Sequence, residues 1–166
     1  MKKFFVFAVM ITTFGTASVG NAQTAADAAA YVRGCAEGNA TSCSDAGVSY
    51  DKGLGVPVDK ARSAEFFDKS CTAKLADSCY LLGTWYQTGG YVPVNLERAR
   101  RYYEIACAYG SPKGCFYNGI MWGRGQGGSK RLDMARYYLN KALTIDPNYA
   151  EAKDALAALD KYEAED

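Results

Sequence analysis

No histidine occurs among the 166 residues of this chain. Its absence removes the commonest zinc ligand and the usual general base together. The six cysteines contain no C-x-x-C pair, so no metal site is read from them, and nothing in the sequence asks for a cofactor. A strong charge of one sign is missing too: 19 basic against 18 acidic residues give a formal net charge of +1. A near-neutral chain has no electrostatic reason to seek nucleic acid or an anionic membrane. Long apolar runs are also absent, with one exception. Lys2 and Lys3 precede an almost unbroken apolar stretch from Phe4 to Phe14, and Gly20-Asn21-Ala22 then places small residues where a cleavage site needs them. That is the pattern of a secretory signal peptide over residues 1–22. The run is too short for a stable membrane span, although an uncleaved anchor is the lesser alternative. Cleavage after Ala22 would leave residues 23–166, one domain's worth of chain, in the periplasm or outside the cell.

Export puts the cysteines in an oxidising compartment, where an even number reads most simply as disulfides. They fall at 35 and 43, 71 and 79, 107 and 115, each pair with the same internal step and each pair 36 residues from the last. Other residues keep the period: Gly47, Gly83 and Gly119; Tyr50, Tyr86 and Trp122; Gly53, Gly89 and Gly125; Phe66, Tyr102 and Tyr138. A fixed period of this size is the signature of a helical solenoid.

Within one unit, Cys79, Leu82 and Tyr86 lie at i, i+3 and i+7, one face of a helix. A turn bearing glycine, valine and proline follows, Gly53 to Pro57 in one unit and Gly89 to Pro93 in the next. Asp59 and Asn95 then stand where an N-cap belongs, and Ala99, Tyr102, Tyr103 and Ala106 form the stripe of a second helix. Eight helices are expected, over roughly 24–36, 41–52, 59–73, 77–88, 95–109, 113–123, 131–145 and 148–163, with Pro147 in the first turn of the last. The recurring mid-helix glycine costs roughly 1 kcal/mol against alanine. Close approach of a neighbouring helix would offset that cost.

On a continuous helix, residues eight apart are separated by about 12 Å of rise, whereas a disulfide needs Cα atoms within about 7 Å. Cys35–Cys43, Cys71–Cys79 and Cys107–Cys115 can therefore pair only if the chain reverses between them. One period beyond Cys107 and Cys115 stand Leu143 and Glu151, so both cysteines are lost together, as expected if they serve each other. A redox-active pair is the competing reading.

The run from Cys79 through Gly83, Tyr86 and Gly89 to Val92, Asn95, Ala99, Tyr103, Ala106 and Cys107 resembles a Sel-one-like repeat, a relative of the tetratricopeptide repeat. The eight-residue cysteine step resembles the cysteine-rich branch typified by the Helicobacter cysteine-rich protein family. The resemblance covers about residues 25–145, while the end of the chain is closer to an ordinary tetratricopeptide unit. It implies an all-α fold: a right-handed superhelix of antiparallel helix hairpins, with about three and a half repeats, three intra-repeat disulfides and a capping helix. It also implies protein–protein contact in secretion, host interaction or envelope signalling. Some cysteine-rich members have been assigned penicillin binding and weak β-lactamase activity.

For a serine β-lactamase, Ser49-Tyr50-Asp51-Lys52 fits S-x-x-K, but there is no K-T-G, and Ser44-Asp45 continues into alanine rather than asparagine. No catalytic residue is assigned. The binding reading rests on solenoid shape, since stacked hairpins present a concave wall lined by the first helices. With cysteine, glycine and Tyr50, Tyr86 or Trp122 facing the core, the residues two and six past each cysteine should point elsewhere. These partner-binding candidates are Asp45, Ser49, Leu81, Trp85, Tyr117 and Met121; packing between repeats is the alternative for them. The expected partner is a protein or peptide, bound by a monomer.

Overall fold

The computed structural model describes residues 19–165. Residues 1–18 of the expected signal peptide, 1–22, lie outside it. Among the described residues eight helices follow one another: α1 (Val19–Ala36), α2 (Ala40–Lys52), α3 (Lys60–Thr72), α4 (Ala76–Thr88), α5 (Leu96–Ala108), α6 (Pro112–Arg124), α7 (Leu132–Ile145) and α8 (Ala150–Glu165). Sequential helices pack as antiparallel hairpins. Alternate helices also touch, α4 with α6, α6 with α8 and α1 with α3. The result is an α/α solenoid of two layers, with α2, α4, α6 and α8 in one and α1, α3, α5 and α7 in the other.

The helix ends obey local chemistry. Asn39, Asp59, Asn95 and Ser111 each accept a hydrogen bond from a backbone N–H three residues on, at 2.9–3.1 Å, and so cap α2, α3, α5 and α6. Gly53, Gly89 and Gly125 close α2, α4 and α6 with φ of +72°, +79° and +67°, the left-handed conformation that side chains resist.

All three expected disulfides are present, with Cα atoms 4.4, 4.7 and 4.4 Å apart. Each joins the last turn of one helix to the first turn of the next. The mid-helix glycines are explained by the helix each one faces. A Cβ on Gly47 would stand 2.8 Å from the Phe67 ring, and one on Gly83 would stand 2.6 Å from the Tyr103 ring. At Gly119 the neighbours are Leu139 and the Ala135 carbonyl, at 3.0 and 3.1 Å. Phe67, Tyr103 and Leu139 are themselves one period apart.

Tertiary detail repeats as well. Tyr50 stacks on Phe66 and Tyr86 on Tyr102, both at 5.4 Å between centroids. Arg62 and Arg98 donate to the Tyr50 and Tyr86 hydroxyls at 3.1 and 3.2 Å. In the third pair Trp122 has no hydroxyl to offer, and it takes the Arg100 guanidinium over its ring at 4.1 Å instead.

Two helix starts differ from expectation: α1 begins at Val19, ahead of the expected start near residue 24, and α8 begins late. Pro147 lies in the turn and α8 begins only at Ala150. In the stapled junctions the N–H of Asn39, Leu75 and Ser111 donates to the carbonyl of Gly34, Ser70 and Ala106, at 3.0, 3.1 and 2.9 Å. Pro147 occupies that register and has no N–H to donate. The Ala142 carbonyl accepts from Asp146 instead, at 2.8 Å, and the Asp146 side chain turns the chain by accepting from Asn148 N at 2.9 Å.

Candidate partner-binding face

Each even-numbered helix from α2 to α6 is buried by its hairpin partner and again by the helices of adjacent repeats. The buried arc is therefore wider than that of an isolated amphipathic helix. On α4 it takes in Ser78, Cys79, Leu82, Gly83 and Trp85. The arc left over carries Asp77, Tyr80, Leu81 and Thr84, and the same register on α6 carries Lys113, Phe116, Tyr117 and Ile120.

These side chains meet across repeats. The Tyr80 and Tyr117 rings lie 5.6 Å apart. Phe116 stands edge-on to Tyr117 at 5.1 Å, and edge-on to Tyr149 at 5.5 Å. Tyr80, Phe116, Tyr117 and Tyr149 thus form an unbroken row from α4 through α6 to the approach of α8, and each is half-buried. Beside it, Ser44, Val48, Asp77, Tyr80, Leu81 and Lys113 line a shallow cleft of about 330 Å³ that crosses α2, α4 and α6.

The row shares a mixed electrostatic field. Burial, the nearby Tyr80 and Glu151 push the Tyr117 phenol up, against the pull of Lys113. Burial, reinforced by Glu151, pushes the Tyr149 phenol up to about 12. Both phenols are therefore neutral hydroxyls at physiological pH, able to donate to an acceptor on a ligand.

The Sel1 repeat family matches residues 40–75, 76–111 and 112–144, the helix pairs α2–α3, α4–α5 and α6–α7, and each disulfide ties one of these pairs to the helix before it. The chain belongs to the Sel1 repeat family. Sel1 repeat proteins are in general protein-interaction scaffolds. Among solved structures, this Sel1 chain is similar to a Sel1 repeat protein from Oxalobacter formigenes, with TM-score 0.71 and 19% identity over 79% of this chain and 98% of that one. It is also similar to Helicobacter pylori cysteine-rich protein B, with TM-score 0.62 and 24% identity over 87% and 99% of the two chains. A third likeness is to a protective antigen of uropathogenic Escherichia coli with an SLR fold, with TM-score 0.64 and 20% identity over 70% of this chain and 25% of that one. No curated protein sequence matches. These likenesses carry the fold.

The six sequence-derived candidates divide in two. Asp45, Leu81 and Tyr117, two past each cysteine, are half-buried on the open arc. Ser49, Trp85 and Met121, six past, were expected to point away from the core and do not: they are 3%, 6% and 0% exposed. Trp85 stands edge-on to Phe67 of the preceding repeat at 5.2 Å and stacks on Tyr91 at 4.0 Å. Met121 packs with Ala99 and Tyr103. The physical reason is the neighbouring repeat, which covers a side of the helix that would be solvated in a single hairpin. Conversely Tyr50, Tyr86 and Trp122, assigned to the core by phase, are only half-buried.

Ser49 is tied within its own helix. Its hydroxyl is spent on the Asp45 carbonyl at 2.8 Å, and Lys52 is an exposed residue paired with Asp51. No hydrogen bond joins Ser49 to Lys52 among the described residues. What sequence reasoning missed is Tyr80 and Phe116, each one past its cysteine, together with Tyr149. Their signal was partial: Tyr80 and Phe116 stand one period apart, but that register holds Ser44 before them and Ala152 after, and Tyr149 lies outside it. Among the described residues, no helix is long and apolar enough to cross a membrane.

Proposed function

We propose that this protein is a secreted or periplasmic, monomeric interaction module that holds a protein or peptide partner along the concave face of its first helices. The observation that carries the reading is the continuous aromatic row of Tyr80, Tyr117, Phe116 and Tyr149, half-open to solvent. Aromatic side chains give large contact area for little lost rotamer freedom, and they dominate interface energetics. Leu81 and Val48 extend the apolar surface toward α2, while Asp45, Asp77 and Lys113 supply the charged rim that fixes orientation. The three disulfides support an oxidising location.

The test is binding of an envelope-fraction partner by wild type and by a Tyr80→Ala, Tyr117→Ala double variant. Loss of about 2 kcal/mol or more, a thirty-fold fall in affinity, is expected for two central anchors. Unchanged recovery of every partner would overturn the assignment of this face. In parallel, no turnover of a chromogenic cephalosporin is expected. Hydrolysis that disappears in Ser49→Ala would favour a hydrolase instead.

A further inference from the structure

Between the α6–α7 pair and α8 lies a second, separate groove of about 390 Å³, within the roughly 300–1,000 Å³ span of small-molecule sites. Its walls are largely apolar, with small residues at Gly119, Gly123, Ala135, Ala155 and Ala158 set among bulkier Ile120, Leu132, Leu139 and Leu159.

The period shows why this space is open. Gly47 and Gly83 are notches filled by the rings of Phe67 and Tyr103, whereas Gly119 faces the smaller Leu139. Residue 158 shares the register of Tyr50, Tyr86 and Trp122, and it is alanine. The wedge between repeats shrinks in the same order, from buried Trp85 through buried Met121 to Ala157, which is exposed.

Charge is confined to one end of the groove. Arg124 is the last residue of α6, and Lys130 stands two residues before α7. Both line the groove, and neither forms an ion pair among the described residues. Among the described residues Lys130 donates to the Tyr162 hydroxyl at 3.1 Å and stands over its ring, 4.4 Å from the centroid. The acids of α8 nearest in sequence, Asp160 and Glu163, are held by Arg136 at 2.5 Å each. We infer that this groove binds a small anionic amphiphile, a medium-length aliphatic chain ending in a carboxylate. The chain would lie on the glycine–alanine wall and the carboxylate at the Arg124–Lys130 end. An apolar trough with unpaired cations at one end complements that chemistry and disfavours a neutral or cationic chain.

The probe is decanoate, titrated below its micellar concentration into the oxidised full chain and followed by amide and methyl NMR shifts. Saturable shifts at Gly119, Gly123, Ala135 and Ala158 are expected. Decanol should bind about five-fold more weakly, and a double Arg124→Gln, Lys130→Gln variant should lose that preference. Ala158→Trp should fill the groove and abolish binding. If that variant does not fold, the decanoate–decanol comparison on the wild-type protein still decides. Shifts that never saturate, shifts that gather on Tyr80 and Tyr117 instead, or equal affinity for the neutral chain would each overturn the inference. The Tyr80, Tyr117 variant should keep decanoate binding, so the two surfaces fail independently.

Discussion

The three stapled junctions and the α7–α8 junction solve one problem in two ways. In the stapled turns the same backbone hydrogen bond closes the reversal each time, and a disulfide lies beside it. In the fourth, Leu143 and Glu151 stand at the cysteine positions, Pro147 removes the donor, and an aspartate side chain makes the turn. The helices that follow differ accordingly. α4 buries five residues and α6 another five, while α8 buries only Ala152. Exposed ion pairs from Arg136 to Asp160 and Glu163 add little to that hold. The staples do not create the turns, since non-covalent bonds already specify them. They restrict the unfolded chain of a solenoid whose repeats each contact only their neighbours.

The largest expected effect follows from that distinction. Each nine-residue loop contributes about 2.5 kcal/mol on the chain-entropy estimate, and three together at most about 7–8 kcal/mol. That is comparable to the whole stability of an ordinary domain. Reduction should therefore unfold the protein or lower its urea midpoint drastically. In the oxidised protein, amide exchange should be fastest in α8, the low end of the stability range. Uniform protection across α4 and α8 would erase the contrast between the two regions.

Much of this division was legible in the residues. The 36-residue period located the helices to within about two residues, except for the start of α1, which lies at Val19 rather than near 24; the cysteine step dictated three reversals, and paired loss of two cysteines marked the fourth junction as different. Two things were not legible. Burial on a solenoid helix depends on the neighbouring repeat as well as on the helix's own phase, and so Trp85 and Met121 were placed outside when they are inside. The knot in which Tyr91 donates to Asp51 at 2.5 Å, with Lys60 donating to the same carboxylate oxygen at 2.6 Å, joins the end of α2 and the start of α3 to the α4–α5 turn, 40 residues beyond Asp51. It has no counterpart one period on, where Gln87, Leu96 and Gly127 stand, and so no repeat pattern announced it.

A middle-sized effect separates the packed repeats from the open groove. Gly83→Ala would force a Cβ to 2.6 Å from the Tyr103 ring, and it should cost about 1–3 kcal/mol as overpacking. Gly123→Ala meets nothing nearer than the Ala135 methyl at 3.5 Å. There the helix-propensity gain of roughly 1 kcal/mol should appear as stabilisation. Urea unfolding of the two variants reads the difference directly. If Gly123→Ala destabilises as much as Gly83→Ala, the third interface is as tight as the second, and the groove is not the open space described.

The smallest effect tests the stapled turns against one another. Residues 38, 74 and 110 occupy one register, and all three are left-handed, with φ of +88°, +70° and +91°. The outer two are glycine, for which that conformation costs nothing. The middle one is Lys74, exposed, and it bears the side-chain penalty of roughly 1–2 kcal/mol. Lys74→Gly should recover part of that, up to about 1 kcal/mol once the greater freedom of glycine in the unfolded chain is subtracted. Gly110→Lys should lose a similar amount. Equal and opposite shifts in the urea midpoint would establish that the three turns are interchangeable and that the disulfide tolerates the strained one. A loss in Lys74→Gly would mean instead that the lysine makes a stabilising contribution specific to the second turn.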